Sequence, residues 1–294
     1  MDTQQLLAFI AVAESGSFSQ AADKLHLTQP AISKRIALLE QQLAAPLFDR
    51  ISKRVALTEA GKVLLPRAKK LAWDLDDARV SIRNLTGKIG GRLPIAASHH
   101  VGLHRLPPVL KDYSRLYPEV AIDIAFLDSE QAYRQVSHGE IELAVVTLAL
   151  AAVPNIEAHA LWTDKLMIMT SPDHPLTGRP RPELADLLNY PVILPGTNTF
   201  TRQLIEGLFQ DKGLVLKVGM ATNYLETIKM MVSIGMAWSI LPEIMLDDSL
   251  RALPVEGIHP SRKLGYIHHR DHALSNACRA FIGELERHGD ALPG

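Results

Sequence analysis

The chain has 294 residues, enough for about two domains of roughly 100–200 residues each. Its residues are 47% hydrophobic and 21% charged, with a net charge of −1, an ordinary globular profile that excludes a polycation. One cysteine, Cys278, excludes an internal disulfide framework and any cysteine-rich metal site and fits a reducing compartment.

Three short helices are expected before residue 45. The first covers about 3–14, with Leu6, Phe9, Ile10 and Ala13 on one face. "SGSF" makes a turn, and Ser17 or Ser19 caps a second helix, "QAADKL". Thr28 is a good cap for the third, "QPAISKRIALLEQQL". Pro30 then falls in the first turn, where its missing N–H costs no intrahelical bond. Ile32, Ile36, Leu39 and Leu43 share an inward stripe. Gln29 sits at the tip, Pro30, Ser33 and Lys34 face outward, and Arg35 lies on the flank. Such a face suits a major groove: Gln and Ser bond base edges, while Lys and Arg neutralise phosphates. The bland alternative is a solvated face of a three-helix bundle.

"APLFDRISKRVALTEAG" (45–61) follows, with Arg50, Lys53 and Arg54 set among Leu47, Phe48, Val55 and Leu57. It reads as a short β-hairpin wing with a basic tip, fit to lie along a phosphate backbone. The start, "MDTQQLLAFIAVAES", lacks the basic stretch of a secretory signal. No apolar run approaches the ~20 residues of a membrane span, so a cytoplasmic location is expected. Residues 1–90 hold 13 Lys+Arg and 9 Asp+Glu, and the rest of the chain is acidic. A mildly basic N-terminal part is compatible with nucleic-acid binding.

The run "LLAFIAVAESGSFSQAADKLHLTQPAISKRIALLEQQLAAPLFDRISKRVALTEAG" resembles the winged helix-turn-helix of LysR-type transcriptional regulators, without a gap. The resemblance implies that Gln29, Pro30, Ser33 and Lys34 face DNA, after the capping Thr28, and that Arg54 and its neighbours serve the wing. One departure is local: Ile51-Ser52-Lys53 stands where polar and basic residues are common.

From Thr58 to about Leu85 one long helix is expected. Leu64, Ala68, Leu71, Leu75, Ala78, Ile82 and Leu85 alternate spacings of 4 and 3, a heptad seam that seeks a like helix. Pro66 removes one intrahelical bond early in it. Two-fold DNA sites favour a paired linker over packing on the chain's own body. The resemblance implies the same pairing, with dimers and tetramers. "TGKIGGR" (86–92) ends the helix as a glycine hinge.

After residue 92 strands and helices alternate, which argues an α/β body with mostly parallel sheets. Expected strands are 93–97, 120–126, 143–146, 166–169, 191–194, 215–220, 237–240 and 263–267; expected helices include 102–117, 200–212, 223–234 and 272–288. The resemblance implies a two-lobed, periplasmic-binding-protein-like (type II) effector domain. The chain then crosses between lobes near Leu161–Thr163 and returns near Gly265–His268. The resulting division is 1–61 for DNA binding, 62–91 for the linker and hinge, and 92–294 for the effector domain. Lobe I takes about 92–162 and 267–294, lobe II about 163–266.

Ligands of open α/β sheets bind beyond the carboxyl ends of strands. Ser98, His99 and His100 follow one strand and Thr147 another. Thr199, Phe200, Thr201 and Arg202 open a helix, and Thr222 and Asn223 another. These hydroxyls, N–H groups and a cation suggest a small anion such as a carboxylate, phosphate or sulfur oxyanion. For any one of them the alternative is an ordinary helix cap.

Other chemistries are weaker. HExxH, GxSxG, GxGxxG and P-loop motifs are absent from the sequence, and Cys278 reads as core. His99, His100 and His104, and His268, His269 and His272, form two clusters able to ligate metal, without cysteines or paired carboxylates. A solute-binding protein leaves residues 1–61 unexplained, and a structural DNA-binding protein has no use for a cleft. The expectation is a one-component regulator with no catalytic residues, no cofactor and no resident metal. Its partners are promoter DNA, a small anionic effector, further copies of itself and RNA polymerase.

Overall fold

A computed structural model describes residues 1–49, 55–85 and 87–290. The chain divides into two compact units, Met1–Thr86 and Gly87–Gly294.

In the first unit α1 (Thr3–Ser15), α2 (Phe18–Lys24) and α3 (Gln29–Leu43) precede β1 (Phe48–Asp49), β2 (Ala56–Leu57) and α4 (Glu59–Asn84). Each helix begins on a side chain suited to an N-cap. Asp2 accepts from the Gln5 N–H and Gln5 returns the bond, closing a capping box. Ser17, Thr28 and Thr58 accept from the N–H groups of Gln20, Ala31 and Gly61. Such a cap contributes about 1 kcal/mol. Phe9, Ile32, Ile36 and Leu39 are fully buried in one core with Leu47 and Phe48. Leu43 is the exception to the expected stripe: it is 40% exposed in the last turn of α3.

The hairpin is held to this core from two sides. Phe48 packs on Phe9 and Phe18, with ring centroids 5.3 and 5.8 Å away. Glu40 Oε1 accepts from the Leu47 and Phe48 N–H groups at 2.7 and 3.3 Å. A Cβ on Gly61 would lie 2.3 Å from the Leu47 carbonyl oxygen, so α4 approaches this strand at a distance that glycine alone permits.

The second unit contains, in order, β3 (Gly91–Ala97), α5 (His99–His104), α6 (Leu106–Leu116), β4 (Val120–Phe126), α7 (Ser129–Ser137), β5 (Leu143–Thr147) and β6 (Ile156–Thr170). It continues through α8 (Leu184–Leu187), β7 (Val192–Leu194), α9 (Phe200–Gln210), β8 (Val218–Ala221), α10 (Leu225–Ser233), β9 (Ser239–Pro242), β10 (Arg251–Ala252), β11 (Ser261–His269) and α11 (Asn276–Arg287). The expected single helix over 102–117 is two. Pro107 and Pro108 lack the N–H groups that a continuous helix would direct at the Leu103 and His104 carbonyls, so the chain breaks at Arg105 and the prolines fall in the first turn of α6, where the loss costs nothing.

The sheet order is β10-β6-β11-β5-β3-β4, with β9 also on β6. Strands β5, β3 and β4 are parallel, as are β7 and β8. The expectation of mostly parallel sheets is corrected here: β6 and β11 are antiparallel to each other, and β5, β9 and β10 pair with them antiparallel. The physical reason is that the two segments joining the lobes are long strands running in opposite directions. They form a ribbon in which Ser261 pairs with Lys165 at one end and His269 with Ile156 at the other. Gly265 sits at a register shift in it, where a Cβ would lie 1.9 Å from the His159 carbonyl oxygen. Lobe I packs around Trp162, Tyr113 and Phe281 on one face and Tyr133 and Val136 on the other. Lobe II packs around Trp238 and Phe209, and around Ile228 and Leu241. Among the described residues no helix is long and apolar enough to cross a membrane.

Candidate functional site

The exposed face of α3 carries Gln29, Pro30 and Lys34, with Thr28 at the cap and Ser33 half-buried beside them. Gln29 Nε2 lies 3.5 Å from Ser33 Oγ, so the two polar groups form one patch at the start of the helix. Arg35, on the flank of α3, donates through Nη2 to Gln4 Oε1 of α1 at 2.7 Å and ties the two helices together. Arg50, Lys53 and Arg54 lie outside the described residues.

The linker seam is divided. Leu64 and Ala68 pack into the core of the first unit. Leu71 and Ile82 are 47% and 67% exposed, Ala78 is exposed, and Leu75 is half-buried. The exposed apolar residues of the seam therefore begin at Leu71.

Between the lobes lies a cavity of about 60 Å³, lined by Ser98, His99, His100 and Thr147 from lobe I and by Thr199, Thr201, Asn223 and Arg262. Ser98 precedes α5 yet makes no cap hydrogen bond, and its buried Oγ has no hydrogen-bond partner among the described residues. Both ring nitrogens of His100 and Nη2 of Arg262 are likewise buried and unpartnered among the described residues. Buried polar groups are nearly always satisfied, so orphans converging on one cavity mark a place for a polar ligand.

Arg262 is the cation of this site. It is 7% exposed; its Nε donates to Asp164 Oδ2 at 2.8 Å and its Nη1 to Thr201 Oγ1 at 2.7 Å. Asp164 Oδ2 also lies 3.5 Å from His100 Nε2. Burial raises the Asp164 carboxyl pKa, but the His100 ring and the Arg262 charge outweigh it and hold it below its ordinary value. Burial pushes the His100 imidazole down, which favours the neutral ring.

The α9 terminus is already engaged. Thr199 caps it by accepting from the Arg202 N–H, and Glu130 of lobe I accepts from the Phe200 N–H at 2.6 Å. The Phe200 ring packs edge-on against Tyr133. Asn223 Nδ2 donates to Asp128 Oδ2 at 2.7 Å, a second link across the cleft. His99 stacks on Phe126 and meets Tyr224 edge-on. Thr147 donates its N–H to Ser129 Oγ.

Three expected residues, Phe200, Arg202 and Thr222, do not line the cavity. Arg202 turns back along α9, where its Nε donates to Glu206 and its Nη1 to the Pro195 carbonyl. Thr222 donates its N–H to Leu194 and receives the Tyr224 N–H in a local turn. The sequence reading missed Arg262 and Asp164. The signal was present: each is a charged residue at the inward parity of a strand, Arg262 alongside Leu264 and Tyr266, Asp164 between Trp162 and Leu166.

Residues 86–290 match the LysR substrate binding domain, and residues 3–62 match the bacterial regulatory helix-turn-helix protein of the lysR family. An HTH-type transcriptional regulator in the ibpB-leuC intergenic region of Azotobacter vinelandii is 62% identical over 108 residues, 37% of this chain and 75% of that protein. A full-length OxyR variant from Pseudomonas aeruginosa has a TM-score of 0.73 at 20% identity, covering 100% of this chain and 99% of that one. The effector binding domain of QuiR in complex with shikimate has a TM-score of 0.62 at 19% identity, over 68% of this chain and 97% of that one.

Proposed function

Because the chain belongs to the LysR family of transcriptional regulators, we propose that it binds promoter DNA as a homo-oligomer, through the outward face of α3, under the control of a small anionic effector held between the two lobes. A DNA-binding unit and an effector-binding domain, rather than an enzyme, are what the two family matches describe. Residues 1–61 read DNA, 62–91 join the copies, and 92–294 sense the effector. The copies pair along α4 through Leu71, Leu75, Ala78 and Ile82 into dimers or tetramers, and the work is done in the cytoplasm beside RNA polymerase.

One observation carries the anionic reading. Ser98 Oγ and Arg262 Nη2 are buried polar atoms without a hydrogen-bond partner among the described residues, and they meet the His100 ring around one cavity; the guanidinium fork is the side chain suited to a carboxylate or oxyanion. The solved effector binding domain of QuiR, similar in fold, is in complex with shikimate. A ligand controls the equilibrium between lobe arrangements only through its differential affinity for them. The cavity of about 60 Å³ holds about four to six waters at roughly 10–15 Å³ each, so a larger effector enters only with the lobes further apart.

A thermal-shift screen of the full-length chain against small monocarboxylates, dicarboxylates and inorganic oxyanions tests this. A true effector at 100 times Kd adds about 2.7 kcal/mol of stability, and Ser98→Ala removes about half of it or more. Stabilisation only by neutral or cationic compounds would overturn the anionic reading.

A further inference from the structure

We propose that His100, His104 and Glu226 form a binding site for a divalent transition metal ion of the zinc class, with ligands drawn from both lobes. The inference goes beyond the anionic-effector reading and does not rest on it.

His100 and His104 stand one turn apart on α5, a spacing that puts both rings on one face. Their centroids are 4.8 Å apart. Glu226, in the first turn of α10, meets them from lobe II, with its Oε1 3.4 Å from His104 Nε2. One donor atom from each residue lies within 4.8 Å of the other two. These atoms are buried: His100 is 6% exposed, and its ring nitrogens, His104 Nε2 and Glu226 Oε1 have no hydrogen-bond partner among the described residues. Two ring nitrogens and a carboxylate oxygen that face one point need a shared proton or a cation between them, and a metal ion satisfies all three donors at once.

The spacing suits a specific class of ion. Two ligands at about 2.0–2.1 Å from a tetrahedral zinc lie about 3.3 Å apart, close to the separation of His104 and Glu226. His100 needs a side-chain rotation to join them. Imidazole donors select zinc, cobalt, nickel or copper over magnesium and calcium, which take oxygen sets. Three protein ligands leave a fourth position for water. Asp164, 3.5 Å from His100 Nε2, adds the carboxylate neighbour common beside a ligating histidine. Because α5 belongs to lobe I and α10 to lobe II, the ion binds the approached lobes and stabilises that arrangement.

A second group, Glu157, His159 and His268, is already explained without metal. His159 stacks on Tyr266 and on His268, and His268 Nδ1 contacts the His269 carbonyl. It serves as the internal control.

The test is a titration of untagged, metal-stripped full-length chain with Zn²⁺ by calorimetry and with Co²⁺ by visible absorption. One equivalent per chain with a tetrahedral Co²⁺ spectrum is expected. His104→Ala and Glu226→Gln, both at partly exposed side chains, should each weaken binding by more than about 10-fold, the loss typical of even an outer-shell partner, with an unchanged circular dichroism spectrum. His159→Gln should bind as the parent does. Absence of Co²⁺ binding, an octahedral Co²⁺ spectrum, or binding that survives in His104→Ala and Glu226→Gln would overturn the proposal. The anion screen above reads independently, since it is performed without added metal.

Discussion

Arg262 Nη1 donates a 2.7 Å hydrogen bond to Thr201 Oγ1, tying the ribbon strand β11 to the first turn of α9. The same guanidinium holds Asp164 through Nε and keeps Nη2 turned to the cavity. Arg262→Lys keeps a charge but loses the fork. Effector affinity should fall about 10- to 150-fold, the equivalent of a charged hydrogen bond, while the fold persists. Arg262→Ala leaves the buried Asp164 with only the His100 ring beside it and should destabilise the second unit by about 3–5 kcal/mol. Chemical denaturation beside calorimetry separates these two results.

Ser98 and Thr199 both precede helices, yet only Thr199 caps one. Thr199→Val should lose about 1 kcal/mol and lower the melting temperature by about 2–4 °C. Ser98→Ala should leave the melting curve in place and lose effector affinity by about 10-fold or more. The reverse pattern would move the ligand to the α9 terminus.

Glu130 occupies the Phe200 N–H with a carboxylate of the protein's own, where the sequence pattern suggested an external anion. Glu130→Gln removes a negative charge beside the cavity. An interaction of about 1 kcal/mol predicts an effector affinity raised about five-fold in calorimetry. Weaker binding in this variant would mean that Glu130 contacts the effector directly.

On α3, Lys34 and Arg35 should behave differently although they are neighbours. Lys34→Ala should reduce the slope of log affinity against log salt by about 0.9 per lost phosphate contact. Arg35→Ala, which breaks the bond to Gln4, should lower stability and leave that slope nearly unchanged. Fluorescence anisotropy over a salt series, with a melting curve for each variant, checks both.

Leu71→Glu puts like charges face to face in a paired α4 seam. Sedimentation should show a smaller assembly, and DNA affinity should drop with α3 intact. Leu64→Ala should instead destabilise the first unit, since Leu64 packs in its core. An unchanged mass for Leu71→Glu would place the contact between copies elsewhere.

Local order was the legible part of the sequence. Ser17, Thr28 and Thr58 are caps by residue type and position, and Ile32, Ile36 and Leu39 are inward by period. Long-range geometry was not legible. Nothing in the spacing of Arg202 shows that it folds back onto Glu206 and Pro195, and nothing near Thr201 announces Arg262, which reaches it from the other end of lobe II. The apolar pattern of β6 predicts a strand only over 166–169, because polar residues interrupt its first half; that half is ordered by pairing with β11, a partner about a hundred residues away in sequence.

Lobe II enters and leaves lobe I through adjacent residues, since Lys165 and Ser261 face each other across the antiparallel ribbon. A two-residue turn suffices to close such a pair of strands into a hairpin. Residues 166–260 thus leave and rejoin the ribbon at a single point, so a sensor half taken from another chain has one junction to match there, while Asp164 and Arg262 stay behind with lobe I.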